Sequence, residues 1–405
     1  MKGINFLLTL DLIVLLIASF FLLWPFIIYL LYSIRRKELP VHPAPFETDI
    51  ACIITAYKNI DLANLAAESI LNQNYSKFHI YLVADNCDIT DIKLPTHGKL
   101  TILVPPKKLG SKVRSMKYAI ENFIRDHEAV AIFDPDNLAH SNFLYECNQY
   151  LAQGYKVVQG RRTAKNLDSR IACLDAMGEI YYNFTTRKIP FHLGSSATLA
   201  GSGMIVETRL FSGFFEEPYI KRNINNVIPG EDKVLYYYLV SEGNQIAYNE
   251  NAIVYDEKIS NANMVKNQRA RWINAYRLSL KDSAKLLLKG IKSLNLNMFI
   301  GGVLTLYPPL FLLILLALSL SIINYFYSIY LALIGVGLVF IFVLNFIWVL
   351  KINNAPPKVW SAFWTMPYFM FNQFIGLLNI GKSNKDFLTT ENNKKVSIKD
   401  IVKDN

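Results

Sequence analysis

A chain of 405 residues that is 52% hydrophobic and 18% charged, with a mean hydropathy of +0.22, is too apolar for an ordinary soluble enzyme and too charged for a pure membrane bundle. Its net charge of +10 suits either the cytoplasmic Lys and Arg that fix membrane topology or attraction to anionic lipid or nucleotide. No compact basic block marks a nucleic-acid surface, so no nucleic-acid partner is expected.

Residues Leu12 to Ser33 are nearly all apolar, long enough to span a bilayer, and Arg35-Arg36-Lys37 follows at once. The basic flank belongs inside, which predicts a transmembrane helix over 1–33 with an outer N-terminus, rather than a cleaved leader. Pro40, Pro43 and Pro45 mark a linker over 34–47. From 48 to 272, short apolar runs alternate with helical periods. Strands are expected at Asp49–Ile54, Phe78–Ala84, Leu100–Val104, Ala129–Phe133, Tyr155–Gln159, Met204–Val206 and Gln245–Tyr255. Helices are expected at Asp61–Asn72, capped by Asp61, at Ser111–Asp126 and at Val234–Ser241. This alternation predicts an α/β domain with a mostly parallel sheet. The four cysteines, Cys52, Cys87, Cys147 and Cys173, form no CxxC pair, and no His stands at ligand spacing; free thiols are expected, not a zinc site.

Beyond Trp272, residues 273–295 mix Leu278, Leu286, Leu287 and Ile291 with Arg277, Lys281, Lys285 and Lys289, as an amphipathic helix in a membrane interface does; a calmodulin-like target or a plain packing helix is the alternative. Two further spans are expected within 296–350, at Met298–Ile323 and Ser328–Leu350, with Pro308-Pro309 breaking the first. Residues 356–380 are apolar but interrupted by Pro367, Asn372 and Gln373, and read as an interfacial or re-entrant segment. That keeps the lysines of a polar tail, 381–405, on the cytoplasmic side. The last dozen residues read as disordered.

The chemistry concentrates at Asp134-Pro135-Asp136-Asn137, directly after the apolar run Ala129–Phe133. Ligands of open α/β sheets bind beyond the carboxyl ends of strands. Two carboxylates there suit Mg²⁺, which takes one or two protein acids plus substrate phosphates; a solvated turn is the competing reading. Asp85 ends another strand. Glu231-Asp232 opens a helix, Gly201-Ser202-Gly203 precedes a strand, and Gln268, Arg271 and Trp272 share one helix face.

In this order, the set resembles the membrane-integrated inverting members of glycosyltransferase family 2, the cellulose, chitin, hyaluronan and poly-N-acetylglucosamine synthases. Their pattern is a strand-end Asp, then Asp-x-Asp, Glu/Thr-Asp, and Gln-x-x-Arg-Trp. The resemblance spans roughly residues 45 to 350. It implies an A-type, Rossmann-like nucleotide-sugar domain flanked by transmembrane and interfacial amphipathic helices. It further implies a UDP-sugar donor, Mg²⁺ or Mn²⁺ as cofactor, a plasma-membrane location with a cytoplasmic catalytic domain, and contact with membrane lipid.

The same resemblance assigns roles. Thr55 and Tyr57 would flank the base, and Asp85 would contact the uracil or ribose. Asp134 would meet the nucleotide and Asp136 would ligate the metal. Lys112 matches a basic position, and Arg161 is a weaker match. Gly201, Ser202 and Gly203 would receive the acceptor. Gln268, Arg271 and Trp272 would close over the diphosphate, with Trp272 also stacking on the acceptor sugar. An acceptor hydroxyl needs a base within reach; Asp232, beside Glu231, is the candidate. Lys58-Asn59 stands where the family often has an acid, and Asp85-Asn86 replaces a frequent acid pair.

The expected reaction extends a β-glycan. Transfer of one sugar to a lipid-linked or short glycan acceptor is the alternative, and a catalytically silent, nucleotide-binding membrane scaffold is a rival of another class. The small membrane part suggests that export would need a homo-oligomer or an accessory protein.

Overall fold

The computed structural model describes residues 2–36, 43–89, 97–370, 394 and 396–403. Residues 371–380 of the expected 356–380 segment and most of the expected tail therefore lie outside the described residues.

Eight strands form one sheet in the order β3-β2-β1-β4-β7-β6-β8-β5. They are β1 (Ile50–Tyr57), β2 (Phe78–Asp85), β3 (Leu100–Leu103), β4 (Ala129–Phe133), β5 (Leu138–Ala139), β6 (Val157–Ala164), β7 (Met204–Glu207) and β8 (Ile246–Asp256). β1, β2 and β4 are fully buried or nearly so, which is why they read as continuous runs of Ile, Val, Ala and Phe without alternation. The sheet is mixed. β1–β2, β1–β4, β2–β3 and β6–β8 pair in parallel, whereas β4–β7, β6–β7 and β5–β8 are antiparallel. The inserted β7 runs backwards between two parallel groups, so β4 and β6 still point the same way. The carboxyl ends of β1, β2, β4, β6 and β8 and the start of β7 therefore share one rim.

Helices α2 (Asp61–Leu71), α3 (Lys112–Glu121) and α4 (Phe143–Leu151) cover the sheet. α2 begins at Asp61, but Ile60 occupies the cap position. Asp61 instead donates its own N–H to Asn59 Oδ1 at 2.9 Å. α3 stops at Glu121, five residues earlier than expected, at Asn122. The remaining helices are α5 (Arg170–Tyr182), a π-helical turn (Asn183–Lys188), α6 (Ile189–His192), α7 (Thr208–Glu216), α8 (Pro218–Asn223), α9 (Glu231–Ser241) and α10 (Ala262–Lys292). α10 is uninterrupted, so Gln268, Arg271 and Trp272 share one rod with the amphipathic stretch after them.

A second apolar core joins α5 to α1 (Lys2–Arg35), α11 (Leu296–Leu306), α12 (Leu310–Tyr325), α13 (Ile329–Ile352) and α14 (Pro357–Ala362). Residues Thr9–Arg35 of α1 and all of α13 are long and apolar enough to cross a membrane; α11 and α12 qualify only as a pair, bent by 70°. The bend lies at Tyr307-Pro308-Pro309, as the proline pair predicts. Pro25 sits inside α1 and has no N–H to offer the Phe21 carbonyl four residues back. The Tyr307 hydroxyl donates to that carbonyl at 2.7 Å and takes the missing donor's place.

The chain's end differs from the disordered reading. A short helix, α15 (Ile398–Lys403), buries Ile401 against Leu138 and Tyr255. The Lys394 N–H donates to the Glu257 carboxylate at 3.1 Å.

Candidate active site

The rim gathers most of the candidate residues around one lysine. Lys112 is the first residue of α3, and its ammonium ion-pairs with Asp134 at the end of β4. It also donates to the Gly201 carbonyl at 2.9 Å and lies 3.9 Å from Glu231 Oε1. Burial opposes its charge, but Asp134, Glu231 and Asp232 outweigh that and raise its pKa. Gly201 adopts φ +82, a conformation costly for any side chain, and a Cβ there would sit 3.8 Å from that of Asp232. Gly230, at φ +70, caps α9 and lets its first two residues, Glu231 and Asp232, reach this rim.

Asp134 and Asp136 are held differently. The Asp134 N–H donates to Asn137 Oδ1 at 3.1 Å, and Asn137 Nδ2 donates to Asp256 Oδ1 at 3.1 Å, so the turn is braced from the end of β8. Asp136 is buried, 4% exposed, and its pKa is raised to about 7 by burial and by the neighbouring Asp256, Asp134 and Glu257. A carboxyl so surrounded by acids is one that a cation would ionise. Among the described residues, no three His, Cys, Asp or Glu are placed to hold a metal unaided. A hard cation needs only one or two protein carboxylates, with substrate phosphates and water completing its shell. The oxygen-only donor set at Asp136 and Asp134 fits such an ion.

Asp85 is 1% exposed, and its two carboxylate oxygens accept the N–H groups of Leu109 and Gly110 at 2.7 and 2.6 Å. It thereby anchors the loop that delivers Lys112. Thr55 and Tyr57 lie at the end of β1, with Tyr57 in register with Asp85. The ammonium groups of Lys58 and Lys108 stand 5.5 and 5.7 Å from the Tyr57 ring. Arg271 approaches the same centre: burial lowers its pKa against the pull of Glu231 and Asp134. The Gln268 Oε1 and Ser202 Oγ atoms are buried and have no hydrogen-bond partner among the described residues, as groups awaiting a ligand do. Trp272, on the same helix as Arg271, is 46% exposed.

Several residues that organise this rim gave no motif. Gln159 holds the Gly201–Gly203 loop from both amide atoms: Nε2 donates to the Ser202 and Gly203 carbonyls at 3.1 and 3.0 Å, and Oε1 accepts the Ala200 N–H at 2.9 Å. Arg162 donates to the Ala200 carbonyl and to Asp256, both at 2.5 Å. Lys258, 2% exposed, bridges Asp256 at 3.0 Å and Glu179 at 3.2 Å. Arg161 does not join them. Strand alternation turns it away, towards Tyr248 and Tyr255, and its neighbour Arg162 faces the site. The missed signal was available: Asp256 ends a strand just as Asp85 and Asp134 do.

The family model described as "Glycosyltransferase like family 2" matches residues 47–275, more than half of the chain. The chain belongs to this family. Its domain has the mixed α/β, Rossmann-like GT-A fold of these glycosyltransferases. Among solved structures, the mannosyltransferase PcManGT from Pyrobaculum calidifontis, in complex with GDP-Man and Mn²⁺, is similar at 15% identity and a TM-score of 0.55, over 90% of this chain and 99% of that one. Residues 1–349 of S. aureus TarS give 12% identity and a TM-score of 0.39, over 83% and 90%. The first likeness shows the fold alone, and the second is too distant to carry an argument. No curated protein sequence matches this glycosyltransferase.

Proposed function

We propose that this glycosyltransferase is a membrane-anchored, inverting enzyme that moves a sugar from a UDP-sugar to a growing β-glycan. The observation that carries the reading is the convergence of Asp134, Gly201, Glu231 and Asp232 on Lys112, with Arg271 near enough to feel Glu231 and Asp134. Donor-side and acceptor-side motifs, far apart in sequence, meet there. The order of the Asp134/Asp136, Glu231-Asp232 and Gln268/Arg271/Trp272 groups supports the synthase-like subfamily. Thr9–Arg35 and α13 support anchoring in a membrane, and the basic flank Arg35-Arg36-Lys37 favours a plasma-membrane enzyme with its catalytic domain on the cytoplasmic side.

In this reading the acceptor hydroxyl approaches the anomeric carbon from the side opposite the diphosphate. Asp232 takes its proton as the new bond forms and the bond to the diphosphate oxygen breaks. One displacement inverts the configuration. Glu231 lies beside the base, and Lys112 keeps the local excess of acid in check. Asp136 would hold Mg²⁺ or Mn²⁺, which would supply charge neutralisation to the leaving diphosphate, and Asp134 would meet the nucleotide. Arg271 adds a fixed positive charge on the same side. Thr55, Tyr57 and Asp85 border the base and ribose, Gln268 and Ser202 offer buried polar atoms to the sugars, and Gly201 and Gly203 let the acceptor approach the backbone. Trp272 is the acceptor platform.

A second reading, single transfer to a lipid-linked or short glycan acceptor, is favoured by the modest membrane part among the described residues, two candidate spans or three with the bent pair. The test uses protein in lipid nanodiscs with Mn²⁺ and radiolabelled UDP-sugars; GDP-mannose is included because PcManGT was solved with GDP-Man. A high-molecular-weight product from one donor, absent with Asp232→Asn, supports the synthase. A small or lipid-extractable product supports single transfer. UDP binding without turnover of any donor overturns both.

A further inference from the structure

Arg269 lies inside the Gln268–Trp272 stretch but outside its motif positions, and its surroundings are specific. Its guanidinium carbon stands 4.2 Å from the centroid of the Trp272 ring, within stacking distance of one face. Phe369 contributes a second ring at 5.7 Å. Arg269 Nη2 donates to Asp175 Oδ1 at 2.6 Å, and both side chains are nearly buried, at 13% and 12% exposure. Trp272 itself remains half exposed. One indole face is therefore occupied, and a ligand can stack only on the other.

Asp175 belongs to α5, whose opposite side is packed into the second core. Tyr181 stacks near Phe346 of α13, with centroids 4.8 Å apart. One turn after Asp175, Glu179 receives Lys258 at 3.2 Å. α5 thus reaches two parts of the site through acids spaced four residues apart, one helical turn. A single helix ties the membrane-type helices to the orientation of Trp272.

We propose that Arg269, held by Asp175, is a positioning residue that fixes the plane and the open face of Trp272 for the acceptor sugar; this rests on the reading of Trp272 as the acceptor platform. An ion pair alone would require only charge at residue 269. Stacking requires the planar guanidinium, so Lys does not replace Arg.

The test compares wild type, Arg269→Lys, Asp175→Asn and Trp272→Ala in nanodiscs, with the donor identified as above. Trp272 emission is isolated in each background by subtracting the matching Trp272→Phe variant, and acrylamide quenching is measured. Label incorporated into glycan is measured per UDP released. Arg269→Lys, which keeps the charge towards Asp175, should keep the wild-type melting temperature and donor KM. It should also raise Trp272 quenching about twofold and lower label incorporated per UDP at least about fivefold, as an acceptor lost from alignment gives way to water. Asp175→Asn should shift both readouts in the same direction. Wild-type quenching in Arg269→Lys overturns the proposal. Raised quenching with an unchanged ratio, while Trp272→Ala lowers that ratio, also overturns it but leaves the platform reading intact. An unchanged ratio in Trp272→Ala overturns the platform reading and this proposal with it.

Discussion

The Lys112 ammonium and the Gly201 carbonyl are 2.9 Å apart, which joins the start of α3 to the loop before β7. The same ammonium neutralises Asp134. Lys112→Met should leave Asp134 and Glu231 as uncompensated acids and let the loop drift. Transfer should fall at least about a hundredfold, the scale of losing one preorganised charge in a site. Lys112→Arg should recover little, because a planar fork does not reproduce a point charge with three donors. Single-turnover rates with the identified donor decide this; wild-type rates in Lys112→Met would show that the lysine is only structural.

Chelation should abolish turnover, and Mg²⁺ or Mn²⁺ should restore it. Asp136→Asn should raise the metal concentration for half-maximal rate by more than about tenfold, as losing a charged first-sphere oxygen does. Asp85→Asn, whose carboxylate is engaged by Leu109 and Gly110, should leave that concentration unchanged and weaken donor binding through the loop. A metal titration of the three proteins separates these outcomes.

Asp256 is buried beside Arg162, Lys258 and Asn137. Asp256→Asn keeps its shape but leaves the buried Lys258 and the partly buried Arg162 with less counter-charge. Breaking such a pair typically costs about 3–5 kcal/mol. A clear fall in melting temperature is expected, larger than for the exposed pair partner Lys285→Met. Equal melting temperatures would show that Glu179 alone sustains Lys258 and Arg162.

His79 lies on β2, 2% exposed, with Nε2 2.8 Å from Thr101 Oγ1. Burial first, then the charges of Arg125 and His127, lower its pKa from 6.5 to about 4, with Asp49 pulling the other way. The folded state favours the neutral ring, so the unfolded chain binds the extra proton between those values. Stability from this group is full above pH 6.5 and is lost as pH falls through 4, by roughly 3 kcal/mol. His79→Gln should flatten the pH dependence of the melting temperature across that window. An unaltered slope would assign it to His127.

The rim was legible where the sequence concentrates chemistry at strand ends. Ala129–Phe133 followed by two acids could be read directly, and the fold brings Lys112, Gly201, Glu231, Asp232 and Arg271 to it. What could not be read is pairing. Nothing local reveals that β7 runs antiparallel between β4 and β6, yet that reversal seats the Gly201 loop beside Asp134. Nor does a strand pattern distinguish Arg161 from Arg162, since one step along β6 decides which faces the site. The two-residue β5 is too short for any periodic signal. α10 reads as two segments because its composition changes at Trp272, whereas its backbone hydrogen bonding does not.

The Tyr307 hydroxyl bound to the Phe21 carbonyl bears on how this protein is made. In hydrocarbon no water can satisfy the carbonyl that Pro25 leaves open. The donor that closes it is encoded 286 residues later. On the proposed membrane anchoring, a ribosome that has just delivered α1 to the bilayer has delivered a helix with one open acceptor, and it must finish the catalytic domain before the remedy emerges. The first helix should stay loosely seated, within reach of water or an insertion factor, until α11 and α12 arrive. Final docking of the membrane part is in this way a late event that reports completion of the domain between.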